Sequence, residues 1–146
     1  MGKRRAGREH AVQVLYGIEL SGKDPETAIA GHQGNFDVEP EAAGFARDLI
    51  HGVIAHRDDL DAVIAEASEH WRLARMSAVD RNIMRVAVFE MLYTAGVPPS
   101  VAIDEAIEVA KTYGSESSPP FINGVLDRAS AIIAAGRGKK SGKKEP

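Results

Sequence analysis

A chain of 146 residues, 44% apolar and 27% charged, suits one globular domain or two small helical halves around a common core. Its lack of cysteine excludes disulfides, thiolate metal sites and a cysteine nucleophile, and without an apolar run of spanning length or a signal region the expected setting is cytoplasmic, away from membranes. The net charge of −3 divides into +3 over the first ten residues, +4 over the last ten and −10 over residues 11–136, an acidic body between two basic ends suited to polyanion contact.

Arg4 to Leu20 reads as a first helix, with Ala11, Val14, Leu15 and Ile18 on one stripe and Ser21-Gly22 closing it. Arg4, Arg5 and Arg8 fall in or just before its first turns, where the helix dipole favours acids and each cation costs about a few tenths of a kcal/mol. A partner outside the helix is therefore expected, and phosphate fits, because guanidinium grips it with paired hydrogen bonds. Asp24-Pro25 caps a short helix to about Ala30, and Gly31 to Val38 reads as a loop. Glu39-Pro40 opens a third helix with Phe45, Leu49, Ile50, Val53 and Ile54 as its apolar stripe. Arg57-Asp58-Asp59 interrupts it, and Leu60, Val63, Ile64 and Ala67 carry a fourth to about His70, after which Trp71 reads as a packing plug.

Ser77 to Tyr93 is the expected central rod. Val79, Ile83, Val86 to Phe89, Met91 and Leu92 cover most of its wheel, leaving Arg81 and Arg85 on one narrow strip. Ser77 with Asp80 approaches a capping box, and Gly96 with Pro98-Pro99 ends the segment. Arg81 and Arg85 are expected to pair with acids of a neighbouring helix. Glu90 lies on the apolar side, so it must be hydrogen-bonded. The expected donors are backbone N–H groups near Val101 to Ile103.

Val101 to Ile103 reads as extended chain or a helix lead-in, with Asp104 as a plausible cap, Glu105 in the first turn and Gly114 as the stop. Ser118-Pro119 repeats the cap-then-proline signal before Phe121, Ile122, Val125, Leu126, Ala129 and Ile132-Ile133. Gly124 inside this last helix implies a close packing contact. No segment alternates with period two. The fold class is all-α: about seven helices in two packed bundles sharing a central buried helix, with residues 1–135 as one domain and 136–146 as a basic, disordered tail.

Catalytic chemistry finds no support. The five histidines form no HExxH pair, the glycines no phosphate-binding loop, and no serine stands in a nucleophile elbow. Neither a metal site nor a cofactor is expected.

Four stretches together resemble the NusB family of bacterial transcription antitermination factors: RRAGREHAVQVLYGIEL at 4–20, WRLARMSAVDRNIMR at 71–85, VAIDEAIEVAKTYG at 101–114 and FINGVLD at 121–127. The resemblance spans about residues 4–134 and implies two packed helical bundles that bind boxA-type RNA of ribosomal-RNA transcripts. It implies a heterodimer with NusE, a small-subunit ribosomal protein, and a place beside RNA polymerase with other Nus factors; a homodimer stays open. By the same resemblance the RNA-facing residues are Arg4, Arg5, Arg8, Tyr16, Asp80, Tyr113 and Phe121. The chain departs from the family at Gly7, which interrupts the basic run, and at Pro119-Pro120, implying a weaker hold on RNA.

The residues themselves leave alternatives open. Single-stranded RNA is read by bases stacking on aromatics while arginines hold phosphates, and this chain has only eight aromatic side chains. Phe121 and Tyr16 could equally fill the core, although the Tyr16 hydroxyl favours a wet edge. Asp80 could be a helix cap or an acceptor for a base amino group. The competing functions are an accessory RNA-binding domain of an RNA cytosine methyltransferase and a scaffold that binds only protein.

Overall fold

Several helix starts follow the capping and proline signals. The computed structural model describes residues 2–69 and 72–136. Among these lie α1 (Gly2–Ser21), α2 (Pro25–Asn35), α3 (Pro40–Ala55), α4 (Arg57–Ser68), a 3₁₀ turn (Leu73–Arg75), α5 (Ala78–Tyr93), α6 (Pro99–Tyr113) and α7 (Ser118–Ala134). Pro25, Pro40 and Pro99 each occupy the first helical turn, where a missing N–H leaves no bond unmade. The Ser77 hydroxyl accepts the Asp80 N–H at 3.1 Å and starts α5. Trp71 and residues 137–146 lie outside the described residues.

Helix α5 is the shared element. It touches α1 and α3 on one side and α4, α6 and α7 on the other; α1, α2 and α3 also pack together, as do α4, α6 and α7. Ile83, Met84, Val86, Ala87 and Val88 are all buried at 3% exposure or less, so the nearly all-apolar wheel of α5 is met by neighbours all round. The two bundles with a common central helix are present. No helix among the described residues is long and apolar enough to cross a membrane.

Three local expectations are corrected. Helix α2 continues past Ala30 to Asn35, through the stretch read as a loop, because it docks on α1 through Ile29 and through a 2.8 Å bond between His32 Nε2 and His10 Nδ1. Helix α6 begins at Pro99 rather than at Asp104, so Val101 to Ile103 are already helical. The close approach expected at Gly124 is absent: a Cβ there would meet only Arg128 Nη1 at 3.8 Å. The tight glycines are elsewhere. A Cβ on Gly52 would fall 2.2 Å from the Phe89 ring, and one on Gly7 would fall 2.7 Å from Phe45 Cδ2. Gly7 thus lets α1 close onto α3, a packing reason for the break in the basic run.

Candidate nucleic-acid interface

Polar pairs fix how α1 lies on its neighbours. Against α6 it runs parallel: Arg5 donates from Nε and Nη2 to the Glu105 carboxylate at 2.9 and 3.0 Å, and eight residues further along both helices Gln13 Nε2 donates to the Tyr113 hydroxyl at 2.6 Å. Against α5 it runs antiparallel. Arg8 gives Nε and Nη2 to Glu90 at 2.8 Å each, while near the other end of α1 the Glu19 carboxylate accepts from Arg81 and, at 3.1 Å, from Asn82 Nδ2.

This arrangement corrects the reading of Glu90. Its carboxylate, 1% exposed, is held by the Arg8 guanidinium and not by backbone N–H groups of α6. Arg8 itself is 5% exposed and lies over the Phe45 ring at 5.3 Å. With both bonding edges inside the protein it presents no open face to a phosphate, so the expected phosphate contact gives way to a structural role. A signal was available: Arg8 falls on the α1 face that also carries Val12 and Leu15, and Glu90 on the apolar side of α5, two opposite charges each misplaced alone.

The remaining arginines of the cluster separate. Arg4 is exposed and stacks over Phe45 at 5.3 Å, about 120° round α1 from Tyr16 at 100° per residue. Arg5 lies within about 20° of Tyr16 on the same wheel, but its charge is shared with Glu105. That ion pair's hydrogen bond and charge hold the Glu105 carboxyl below the usual range against the opposing effect of partial burial.

Tyr16 stands three residues along α1 from Gln13, which bonds Tyr113 on α6. Gln13, Tyr16 and Glu19 step round α1, with Gln13 bonded to α6 and Glu19 to α5, which sets Tyr16 between the end of α6 and the start of α5. Tyr16 is 38% exposed and Tyr113 37%. Partial burial, and then the negative charge of Glu9, raise the Tyr113 phenol above its ordinary pKa, with the Gln13 bond opposing them. Partial burial likewise pushes Glu19 up, but hydrogen bonds from Arg81 and Asn82 outweigh it and leave the carboxyl low.

The loop after Tyr113 is tied to α5 through Ser118, which is the first residue of α7 and not its cap; Ser117 holds the cap position. Ser118, 2% exposed, donates its hydroxyl to Asp80 Oδ1 at 2.7 Å and accepts the Ser115 N–H at 3.0 Å. A Cβ on Gly114 would sit 2.6 Å from the Ser118 hydroxyl, so glycine is needed for the loop to close. Asp80 is therefore a loop clasp as well as a first-turn acid, with part of its carboxylate left at the surface. Phe121, one turn further on, is half-buried against the core. Among the described residues no group of histidines and acids could hold a metal ion.

Residues 5–131 match the family model described as the NusB family. The chain is 42% identical over 137 residues to the transcription antitermination protein NusB of Myxococcus xanthus, an alignment that covers 91% of this chain and 98% of that one. NusB of T. maritima, 36% identical, superposes with a TM-score of 0.78 over 88% of this chain and 90% of its own. A chain from a complex of antitermination factors NusB and NusE with dsRNA shares the fold at 24% identity, with a TM-score of 0.82 over 90% of this chain and 98% of its own.

Proposed function

The chain belongs to the NusB family, and we propose that it is a non-catalytic transcription antitermination factor. It binds boxA-type single-stranded RNA of ribosomal-RNA transcripts together with NusE, in the cytoplasm, and couples that RNA to RNA polymerase with other Nus factors. Residues 1–135 act as one RNA-binding domain, and any homodimer is a resting form that NusE replaces.

One observation carries this reading: two tyrosines, each more than a third exposed, lie on α1 and α6 on either side of Gln13, near a loop clasped to Asp80. Splayed bases stack on Tyr16 and Tyr113, each stack worth about 1–3 kcal/mol. The free side of the Asp80 carboxylate accepts from a base amino group, and Phe121 borders the loop end of the track. Arg5 holds a phosphate at the start of this face, Arg4 meets the strand only beyond it, from another side of α1, and Arg8 acts indirectly by seating α1. The acidic body suits a cationic ribosomal protein.

Salt-titrated binding to a boxA-type strand, with and without purified NusE, tests the reading. A steep fall in affinity with salt and a preference over scrambled RNA are expected. A complex with NusE but no RNA binding even at low salt would instead make the chain a protein-only scaffold.

A further inference from the structure

The tyrosine face receives little free positive charge from the N-terminal cluster. Arg8 is buried, Arg5 is paired, and Arg4 lies on another side of α1. The far end of the same face is different. Arg72 precedes the 3₁₀ turn and Arg75 is its last residue; both are exposed, and neither makes an ion pair among the described residues. Arg5, Arg8, Arg47, Arg81 and Arg85, by contrast, each have a carboxylate partner.

The backbone of the turn is hydrogen-bonded although its charges are free. Arg75 N–H bonds the Arg72 carbonyl at 2.9 Å, and Met76 N–H bonds the Leu73 carbonyl at 3.1 Å. Arg81 Nη1 donates to the Leu73 and Met76 carbonyls at 2.8 and 2.7 Å, and its other nitrogen holds Glu19 on α1. Met76 is 7% exposed and Leu73 packs on the core. Arg72, on extended backbone, leads into the turn and Arg75 ends it, so two exposed guanidinium groups stand three residues apart at this corner. They also stand just before the N-terminus of α5, where the helix dipole disfavours cations. Two unneutralised cations held on a bonded backbone beside a positive helix end gain from a bound anion.

We propose that Arg72 and Arg75 form a second phosphate grip for single-stranded RNA, at the opposite end of the tyrosine face from Arg5. The inference rests on the RNA-binding reading above. Glu19, which anchors the turn, is 14 residues beyond Arg5 on α1, about 21 Å at 1.5 Å per residue. A strand held at both ends passes Tyr16 and Tyr113 between them.

The test is a salt titration of a boxA-type RNA and a scrambled RNA against the full chain with NusE, in the wild type, Arg72→Gln/Arg75→Gln and Arg75→Gln alone. The double variant is expected to lose affinity severalfold and about evenly on both RNAs. The slope of log affinity against log salt should shrink by about 1.4, at about 0.7 per phosphate on a single strand. Arg75→Gln should show about half that change, with unfolding curves and NusE binding as in the wild type. An unchanged slope in both variants, while Tyr16→Ala still weakens binding, would overturn the second grip and leave the tyrosine face standing. Loss of NusE binding without loss of RNA binding would also overturn it. A wild type that binds no RNA would sink both readings.

Discussion

The two ends of α1 use arginine–carboxylate pairs in opposite ways. Near its start α1 supplies the cation, Arg8, and α5 supplies the acid, Glu90, both of them buried. Near its end α1 supplies the acid, Glu19, and α5 supplies Arg81 and Arg85, with Glu19 still 28% exposed at its side chain. The reversal makes only one direction and one register of α1 on α5 electrostatically acceptable. A desolvated pair cannot lose one member cheaply, whereas a half-open one can be replaced by water. The closed end therefore holds the fold, and the open end is free to border a ligand surface.

Removing either member of the closed pair should produce the largest effect. Arg8→Ala or Glu90→Ala is expected to cost about 3–5 kcal/mol in chemical denaturation, and the apolar double variant Arg8→Met/Glu90→Leu should recover most of it. Single variants within about 1 kcal/mol of wild type would erase the contrast between the two ends. Next come two glycines inside α1, Gly7 and Gly17. Gly7→Ala puts a methyl against Phe45 and should destabilise by about 1–3 kcal/mol. Gly17→Ala, with nothing within 4 Å of its Cβ, should stabilise by up to about 1 kcal/mol. Equal effects in thermal unfolding would contradict the packing of α1 on α3.

A smaller, pH-dependent effect belongs to His10 and His32, which hold α2 on α1. Partial burial lowers both below the ordinary histidine range, and the neighbouring His10 charge lowers His32 further. The unfolded chain then binds more protons than the folded one. Stability from this pair is complete above about pH 6.5 and is lost as the pH falls towards and through the lowered folded values. Denaturation midpoints should drop between about pH 7 and 5.5 in the wild type, but not in His10→Ala/His32→Ala; a step surviving in that variant would assign it elsewhere.

Much of the architecture was legible because it is local. Ser77, Pro25, Pro40 and the wheel of α5 state helix starts and burial within a few residues. What stayed hidden depends on partners far away in the chain. Arg8 and Glu90 are 82 positions apart, so a cluster of three arginines looked like one phosphate grip when only their separate faces on α1 decide what each can touch. Gly7 and Gly52 gave no local hint of the rings they face, and Gly124 gave a false one. Tyr16 and Tyr113 were readable as candidates, but the bond from Gln13 to Tyr113 and the Ser118 clasp beneath the loop needed the fold.

The proposed RNA face is tested most directly by measuring Tyr16→Ala and Tyr113→Ala, separately, for boxA-type and scrambled RNA in the presence of NusE. Each should fold within about 1 kcal/mol of wild type, since both side chains lie partly in solvent. Each should also lose about 1–3 kcal/mol of RNA binding, the worth of one stacked base. Wild-type affinity in both variants would contradict a ligand surface at this end of α1.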